Sequence, residues 1–186
     1  MRKILFILII SASLQGCFPV VAAGAGAGAL MVQDRRTSGA YVEDQAIETK
    51  AFDRIGKQFQ SAVHVNVTSY NRNVLISGEV PDDATRAQIE HIVANIQNVR
   101  KTHNDLLVAG NSSLTSRSSD SLITSNVKMR FMGDKRFSAT SIKVVTENGT
   151  VYLMGIVNRA EAGAAAEVAS GTSGVQRVIE LFEFVN

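Results

Sequence analysis

The stretch from Ile142 to Val157 reads IKVVTENGTVYLMGIV, and two short runs with alternating apolar residues flank its central Asn148-Gly149. That dipeptide readily adopts the positive φ angles that a tight hairpin turn requires. The stretch from Val65 to Val80, VNVTSYNRNVLISGEV, has the same pattern, and a shift of 77 residues places Gly78 on Gly155. Self-similarity at a fixed spacing indicates an internal duplication, so the sequence predicts two small domains, each built around a hairpin.

Each hairpin lies between two predicted helices, and a last strand follows the second helix. In the first half, a helix is predicted from Tyr41 to Phe59, and Pro81-Asp82-Asp83 begins the next one. That second helix buries one apolar stripe, which consists of Ile89, Ile92, Val93 and Ile96. Asn98-Val99 closes it, and a strand is predicted from Thr102 to Val108.

The second half repeats this order. Ser119 or Asp120 can cap its first helix, which runs to about Met132 and turns Ile123, Val127 and Phe131 towards the sheet. An Ala-rich helix is predicted from Asn158 to Ser170, where Gly171 and Gly174 end it, and the last strand runs from Val175 to Val185. The predicted fold class is therefore α+β, with two tandem α-β-β-α-β domains. In each domain a small three-stranded mixed sheet packs on two helices.

The N-terminus has the pattern of a bacterial leader. Arg2 and Lys3 precede an apolar run that is too short to span a bilayer, and the run ends in Leu14-Gln15-Gly16-Cys17. This tetrapeptide resembles the bacterial lipobox, which implies cleavage before Cys17 and lipidation of its thiol. Phe18, in place of Asp after the cysteine, indicates the outer membrane under the enterobacterial sorting logic. The alternative is a free or buried thiol behind an ordinary secretory leader.

The predicted boundaries follow from these patterns. They are 1–16 for the lipoprotein signal peptide, 17–40 for the lipidated N-terminus and flexible linker, 41–109 for the first domain, 110–118 for a Ser-rich linker and 119–186 for the second domain.

Composition and motifs exclude several classes of function. Without Arg2 and Lys3, the chain has 17 basic and 17 acidic residues, so a strongly basic nucleic-acid binder is disfavoured. The single cysteine excludes a multi-cysteine metal site, and the sequence does not group His64, His91 or His103 with a carboxylate at metal-ligand spacing. No nucleophile motif appears. We therefore expect no metal, no cofactor and no enzymatic activity.

Two copies of a strand-turn-strand unit, with Gly78 and Gly155 in the second strand, resemble paired BON domains, as does a helix that ends in Gly174-Val175 before a closing strand. With the lipobox, the arrangement is similar to dual BON-domain outer-membrane lipoproteins of Gram-negative bacteria. The first repeat has Asn98 where the family has a second glycine. Asn tolerates left-handed backbone geometry, so we expect this turn to keep its shape.

The first helix of the second domain carries the most informative surface. Leu122 and Met129 are seven residues apart, off the stripe that faces the sheet, and Arg117 to Lys143 contains 6 basic and 2 acidic residues. Exposed apolar residues among bases suit an anionic membrane surface; the alternative is a wider core stripe with a solvated charged side. We call the candidate residues the basic–apolar patch: Leu122, Lys128, Met129, Arg130, Met132, Lys135 and Arg136.

The resemblance implies that this helix binds anionic phospholipid such as phosphatidylglycerol. Leu122 stands where the relatives have a larger aromatic, which suits the membrane interface better than Leu. The resemblance also implies a role in envelope integrity, with recruitment to division sites. Two other classes stay open: a periplasmic protein-interaction or chaperone-like module that docks an envelope protein, and a hydrolase acting on lipid or peptidoglycan, for which the sequence offers no candidate residue. Structural roles in turns are expected for Gly78, Asn148, Gly149, Gly155 and Gly174.

Overall fold

The computed structural model describes residues 34–185, and the duplication appears in it as two α-β-β-α-β units. The first unit consists of α1 (Ser38–Phe59), β1 (His64–Tyr70), β2 (Asn73–Val80), α2 (Asp83–Ala94) and β3 (Lys101–Val108). The second consists of α3 (Leu114–Gly133), β4 (Ile142–Glu147), β5 (Thr150–Val157), α4 (Arg159–Ser170) and β6 (Arg177–Phe184). The predicted signal peptide, the lipidation of Cys17 and the tether as far as residue 33 lie outside the described residues.

Both sheets have the same topology. The middle strand pairs antiparallel with the strand before it and parallel with the strand at the end of its unit, which gives the orders β1-β2-β3 and β4-β5-β6. The registers also agree, since Val65 opposes Gly78 in the first hairpin and Ile142 opposes Gly155 in the second. The predicted α+β fold class, with two three-stranded mixed sheets, is confirmed.

One face of each sheet packs on its own two helices. The first core contains Ile47 and Ile55 from α1, Ile76 from β2 and Val93 from α2. The second core contains Ile123, Val127 and Phe131, as the helical spacing predicts, packed against the apolar side chains of β4, β5 and α4. Burying these stripes supplies most of the stability, at about 25 cal/mol for each Å² of apolar surface removed from water.

The other faces of the two sheets pack against each other. Tyr70 and Leu75 from the first domain and Tyr152 and Met154 from the second are all buried in one shared cluster. The Tyr70 hydroxyl donates a 3.1 Å hydrogen bond to the carbonyl of Ser141, across the junction. The layers therefore follow the order helices, sheet, sheet, helices.

The first helix of the second unit, α3, begins earlier than the sequence indicates. Ser113 is the N-cap of α3, and its side chain accepts a hydrogen bond from the backbone N–H of Ser116. The prediction that Ser119 or Asp120 caps this helix is therefore wrong, and residues 114–118 of the predicted linker belong to the helix. Serines in this helix donate to the carbonyl four residues back, as Ser118 does to Leu114, so a Ser-rich composition is compatible with helix here. Similarly, α1 begins at Ser38, after the N-cap Thr37, and not at Tyr41.

Asp120 lies inside α3, where it is buried and binds the hairpin turn. Its carboxylate accepts hydrogen bonds of 3.0 and 2.9 Å from the backbone N–H groups of Asn148 and Gly149. Both turn residues have positive φ angles, +48° and +70°, as the Asn-Gly dipeptide predicts. The carboxylate therefore satisfies two backbone donors that the turn itself leaves unpaired.

Gly78 and Gly155 lie within β2 and β5 rather than at turns. A Cβ on Gly78, whose φ is +119°, would lie 2.0 Å from the carbonyl oxygen of His64 in the paired strand. Gly174 has a φ of +88°, and Asn98, at the equivalent place in the first domain, has a φ of +73°. The expectation that Asn98 preserves this turn is confirmed.

Arg35, just before α1, contacts the second domain. Its guanidinium donates two hydrogen bonds of 2.7 Å to the carboxylate of Glu161 and one of 3.1 Å to the carbonyl of Ile156. Glu161 also forms a capping box with Asn158 at the start of α4. The hydrogen bonds from Arg35 hold the pKa of Glu161 below its usual value, although partial burial opposes this.

We predict that D120A lowers the free energy of unfolding by about 2–4 kcal/mol, because two buried backbone donors lose their acceptor. D120N keeps one acceptor oxygen and should lose less. Urea unfolding measures both variants, with D53A, at an exposed aspartate of α1, as the control. A D120A loss within about 0.5 kcal/mol of the D53A loss would contradict this role.

We predict that E161Q lowers the free energy of unfolding by about 0.5–1 kcal/mol at neutral pH, because Gln keeps the capping box but loses the charge that pairs with Arg35. A lowered folded-state pKa gives stability that is complete above the unfolded-state pKa and is lost as the pH falls through the folded-state pKa. The difference between wild type and E161Q should therefore be constant near neutral pH, begin to fall near the ordinary glutamate pKa of 4.5, and vanish once the pH is below the lowered folded-state pKa.

Urea unfolding at a series of pH values checks the E161Q prediction. E167Q is the matched control, since Glu167 forms an exposed pair with Arg136 and should contribute less. A difference between wild type and E161Q that grows as the pH falls has the opposite sign and contradicts the assignment.

Candidate functional site

The apolar members of the basic–apolar patch lie on the face of α3 that points away from the sheet. Leu122, Met129 and Met132 are 66%, 58% and 71% exposed, whereas the stripe of Ile123, Val127 and Phe131 is buried. At about 100° per residue, Leu122 and Met129 are almost in line along the helix. The alternative in which these residues widen the core stripe is excluded.

Leu114 extends this outward face, although the sequence patterns did not indicate it. It is 79% exposed, and it lies 18 residues, or about five full turns, before Met132, on the same side of α3. Leu114 was not predicted because the helix was expected to begin after it. The local signal for the earlier start is Ser113, whose side chain caps Ser116, but Ser113 is one of several acceptable N-caps in this stretch.

The outward face of α3 lacks exposed acidic residues. Asp120 is the helix's single acid, and it is buried against the hairpin turn. Lys128, on the helix, and Lys135, just after it, are exposed, and within residues 34–185 neither forms a salt bridge. The face therefore combines apolar side chains with unpaired positive charge.

The two arginines of the patch have partners in the protein. The guanidinium of Arg130 donates to the carbonyl of Gly171, at the C-terminal end of α4, where a cation also interacts favourably with the helix dipole. Arg136 pairs with Asp134 and Glu167, each at 2.8 Å, and hydrogen bonds to these carboxylates raise the pKa of Arg136. Within residues 34–185, Arg130 and Arg136 are thus tied to the fold, whereas Lys128 and Lys135 form no salt bridge.

The equivalent helix of the first domain has a different surface. Phe52 on α1 is 77% exposed, but the exposed acid Asp53 follows it, and Glu43 and Glu48 are only half-buried. A cavity of about 660 Å³ lies beside Phe52, between α1 and the edge strand β1. None of the residues that line this cavity belongs to α3.

A second polar site lies at the junction of the two sheets. His64 Nδ1 is 2.7 Å from Glu79 Oε2 and 3.9 Å from Glu147 Oε1. The sequence does not group His64 with a carboxylate at metal-ligand spacing, but the structure brings it together with two glutamates, because three strands contribute residues from both domains. Sequence spacing could not reveal this cluster, since Glu147 lies 83 positions after His64.

The two glutamates of this junction differ in their protonation behaviour. Burial raises the pKa of Glu79, but hydrogen bonds from Asn148, His64 and Ser112 outweigh it, and the net pKa is lowered. Burial also raises the pKa of Glu147, and there the single hydrogen bond from Asn66 does not compensate. The carboxylate of Glu79 is therefore stabilised by several hydrogen bonds, whereas that of Glu147 has fewer.

Comparisons with known proteins agree with the duplicated architecture. The BON domain family model matches residues 43–110 and 119–186. The chain is 34% identical over 188 residues to the outer membrane lipoprotein DolP of Haemophilus influenzae, covering 100% of this chain and 97% of that protein. It is 32% identical over 154 residues to a 21 kDa hemolysin of Actinobacillus pleuropneumoniae, covering 82% and 79% of the two chains.

A solved structure, the C-terminal domain of the type III secretion protein CdsD of Chlamydia trachomatis, covers 74% of this chain and 96% of its own, with 10% identity and a TM-score of 0.32. That likeness is too weak to bear on this chain. Within the part of the chain that the structure describes, every helix is too short or too polar to cross a bilayer. The resemblance to dual BON-domain outer-membrane lipoproteins is confirmed by the family match and by the relative that aligns over the full chain. The chain belongs to the BON domain family, with two tandem BON domains.

Proposed function

We propose that this protein is a non-enzymatic outer-membrane lipoprotein, anchored through Cys17, whose second BON domain binds anionic phospholipid. In this proposal the outward face of α3 lies on the lipid surface and supports envelope integrity, including at the division site. The full-length likeness to a protein named as an outer membrane lipoprotein supports the location. The lipobox-like tetrapeptide before Cys17 supports the anchor.

The observation that carries the lipid proposal is the composition of the outward face of α3. Its apolar row consists of Leu114, Leu122, Met129 and Met132, all exposed. These side chains can enter the boundary between headgroups and acyl chains, where burial of apolar surface is favourable. Lys128 and Lys135 flank the row without competing salt bridges in residues 34–185, so they are available to lipid phosphates.

The arginines take a supporting role in this proposal. Arg130 holds the C-terminal end of α4 and Arg136 pairs with two carboxylates, so lipid would have to compete with protein partners for both. Each free base near an anionic surface contributes about 1 kcal/mol. Lys128 and Lys135 should therefore account for most of the dependence of binding on salt.

We predict that K128Q/K135Q weakens binding to phosphatidylglycerol-containing vesicles about 30-fold at low salt, because about 2 kcal/mol of attraction is lost. L122S/M129S should weaken binding about tenfold for each side chain, since apolar insertion is lost at any salt concentration. Vesicle co-sedimentation of residues 34–186, which contain both domains without the lipid anchor, measures these changes at low and high salt.

The matched controls lie on α1, the equivalent helix of the first domain. K50Q/K57Q and F52S make the same kinds of change at exposed positions and should leave vesicle binding unaltered. Equal binding to phosphatidylcholine vesicles, no binding at all, or equal losses in the α1 variants would each overturn the lipid proposal. The protein-docking alternative would be favoured if a crosslinker at position 129 trapped an envelope protein in stoichiometric amount while the protein did not bind vesicles.

A further inference from the structure

We propose that His64, Glu79 and Glu147 form a Zn²⁺ site that bridges the two BON domains. Each residue offers one ligand atom, and these atoms all lie within 4.8 Å of one another. Imidazole nitrogen and carboxylate oxygen are common zinc ligands, with metal–ligand distances of about 2.0–2.2 Å. The site is separate from α3, so this inference does not depend on lipid binding.

The hydrogen bonds around the cluster orient both carboxylates. Asn148, from the second domain, donates to Glu79 Oε1 at 2.6 Å, and Asn66, from the first, donates to Glu147 Oε2 at 2.7 Å. Each glutamate therefore has one oxygen fixed by an amide of the opposite domain. The other oxygens, Glu79 Oε2 and Glu147 Oε1, face His64 Nδ1. Outer hydrogen bonds of this kind position the ligands in protein metal sites.

The charge of the cluster also favours a cation. Glu79 and Glu147 are 2% and 6% exposed, and in the described residues 34–185 neither pairs with a lysine or an arginine. The guanidinium of Arg117 donates a hydrogen bond to the hydroxyl of Ser112. Two buried carboxylates without a compensating cation cost considerable free energy. One Zn²⁺ beside a neutral imidazole cancels both negative charges.

A hydroxyl group lies beside the cluster, and one of its three side chains is partly open to solvent. The hydroxyl of Ser112 lies 3.4 Å from His64 Nδ1, and the side chain of His64 retains 15% exposure. Three protein ligands with water or a hydroxyl group in the fourth position complete a four-coordinate zinc site. Because the ligands come from β1, β2 and β4, a bound ion would link the domains directly.

The experiment uses the full-length, tag-free protein in detergent, stripped of metal with a chelator. Competition against a chromophoric chelator measures Zn²⁺ binding, and visible absorption of Co²⁺ reports the coordination. We expect one tightly bound Zn²⁺ per chain, and a thermal unfolding midpoint that rises with Zn²⁺ and falls again with chelator. H64N and E147Q should each weaken binding by about tenfold or more and remove the rise in the midpoint.

H91N is the matched control, because His91 is an exposed histidine on α2 outside the cluster. It should bind Zn²⁺ like the wild type. Circular dichroism confirms the folding of each variant; if H64N fails to fold, E147Q and the Co²⁺ spectrum of the wild type decide. The proposal would be overturned if the wild type bound no Zn²⁺ or less than one Zn²⁺ per chain, or if E147Q bound Zn²⁺ as tightly as the wild type. A wild-type Co²⁺ spectrum identical to that of free Co²⁺ would also overturn it.

Discussion

In both domains a buried aspartate of the first helix binds the backbone of the hairpin turn. Asp44 accepts hydrogen bonds of 2.8 and 2.7 Å from the N–H groups of Asn71 and Arg72, and Asp120 makes the same contact with the second turn. A helix held in this way cannot slide or rotate over the sheet without leaving buried donors unpaired. The contact therefore fixes which residues of each helix face the core and which face outward.

The hairpins and the duplication were predictable because they depend on local patterns. Alternating apolar residues and an Asn-Gly turn specify a hairpin whose register then follows from the turn. The start of α3 was not predictable in the same way, because Ser113, Ser119 and Asp120 are all acceptable caps and only tertiary contacts decide between them. Asp120 is buried against the hairpin turn, a contact across 28 residues. It therefore cannot serve as the cap, and the helix begins at the earliest of the three candidates, Ser113.

The candidate sites differ in how far the sequence could define them. Helical spacing placed Leu122 and Met129 off the stripe that faces the sheet, but only the fold shows that they are exposed. The partners of Arg130 and Arg136 also required the fold. The junction cluster could not be found by comparing the two repeats either. A shift of 77 residues places Ser141 on His64 and Ile156 on Glu79, so one copy lacks the polar groups that the other supplies. The two domains have diverged into unlike halves of one junction.

Because the sheets pack face to face, the helices form the two outer layers of residues 34–185. The two sheets alone separate those layers by about 10 Å, and α1 and α3 consequently look in opposite directions. A molecule resting on a surface through Leu122 and Met129 turns Phe52 and its neighbouring cavity away from that surface. Duplication has in this way given residues 34–185 two opposite sides, and in the proposed lipid-bound orientation one of them meets lipid while the other faces away from it.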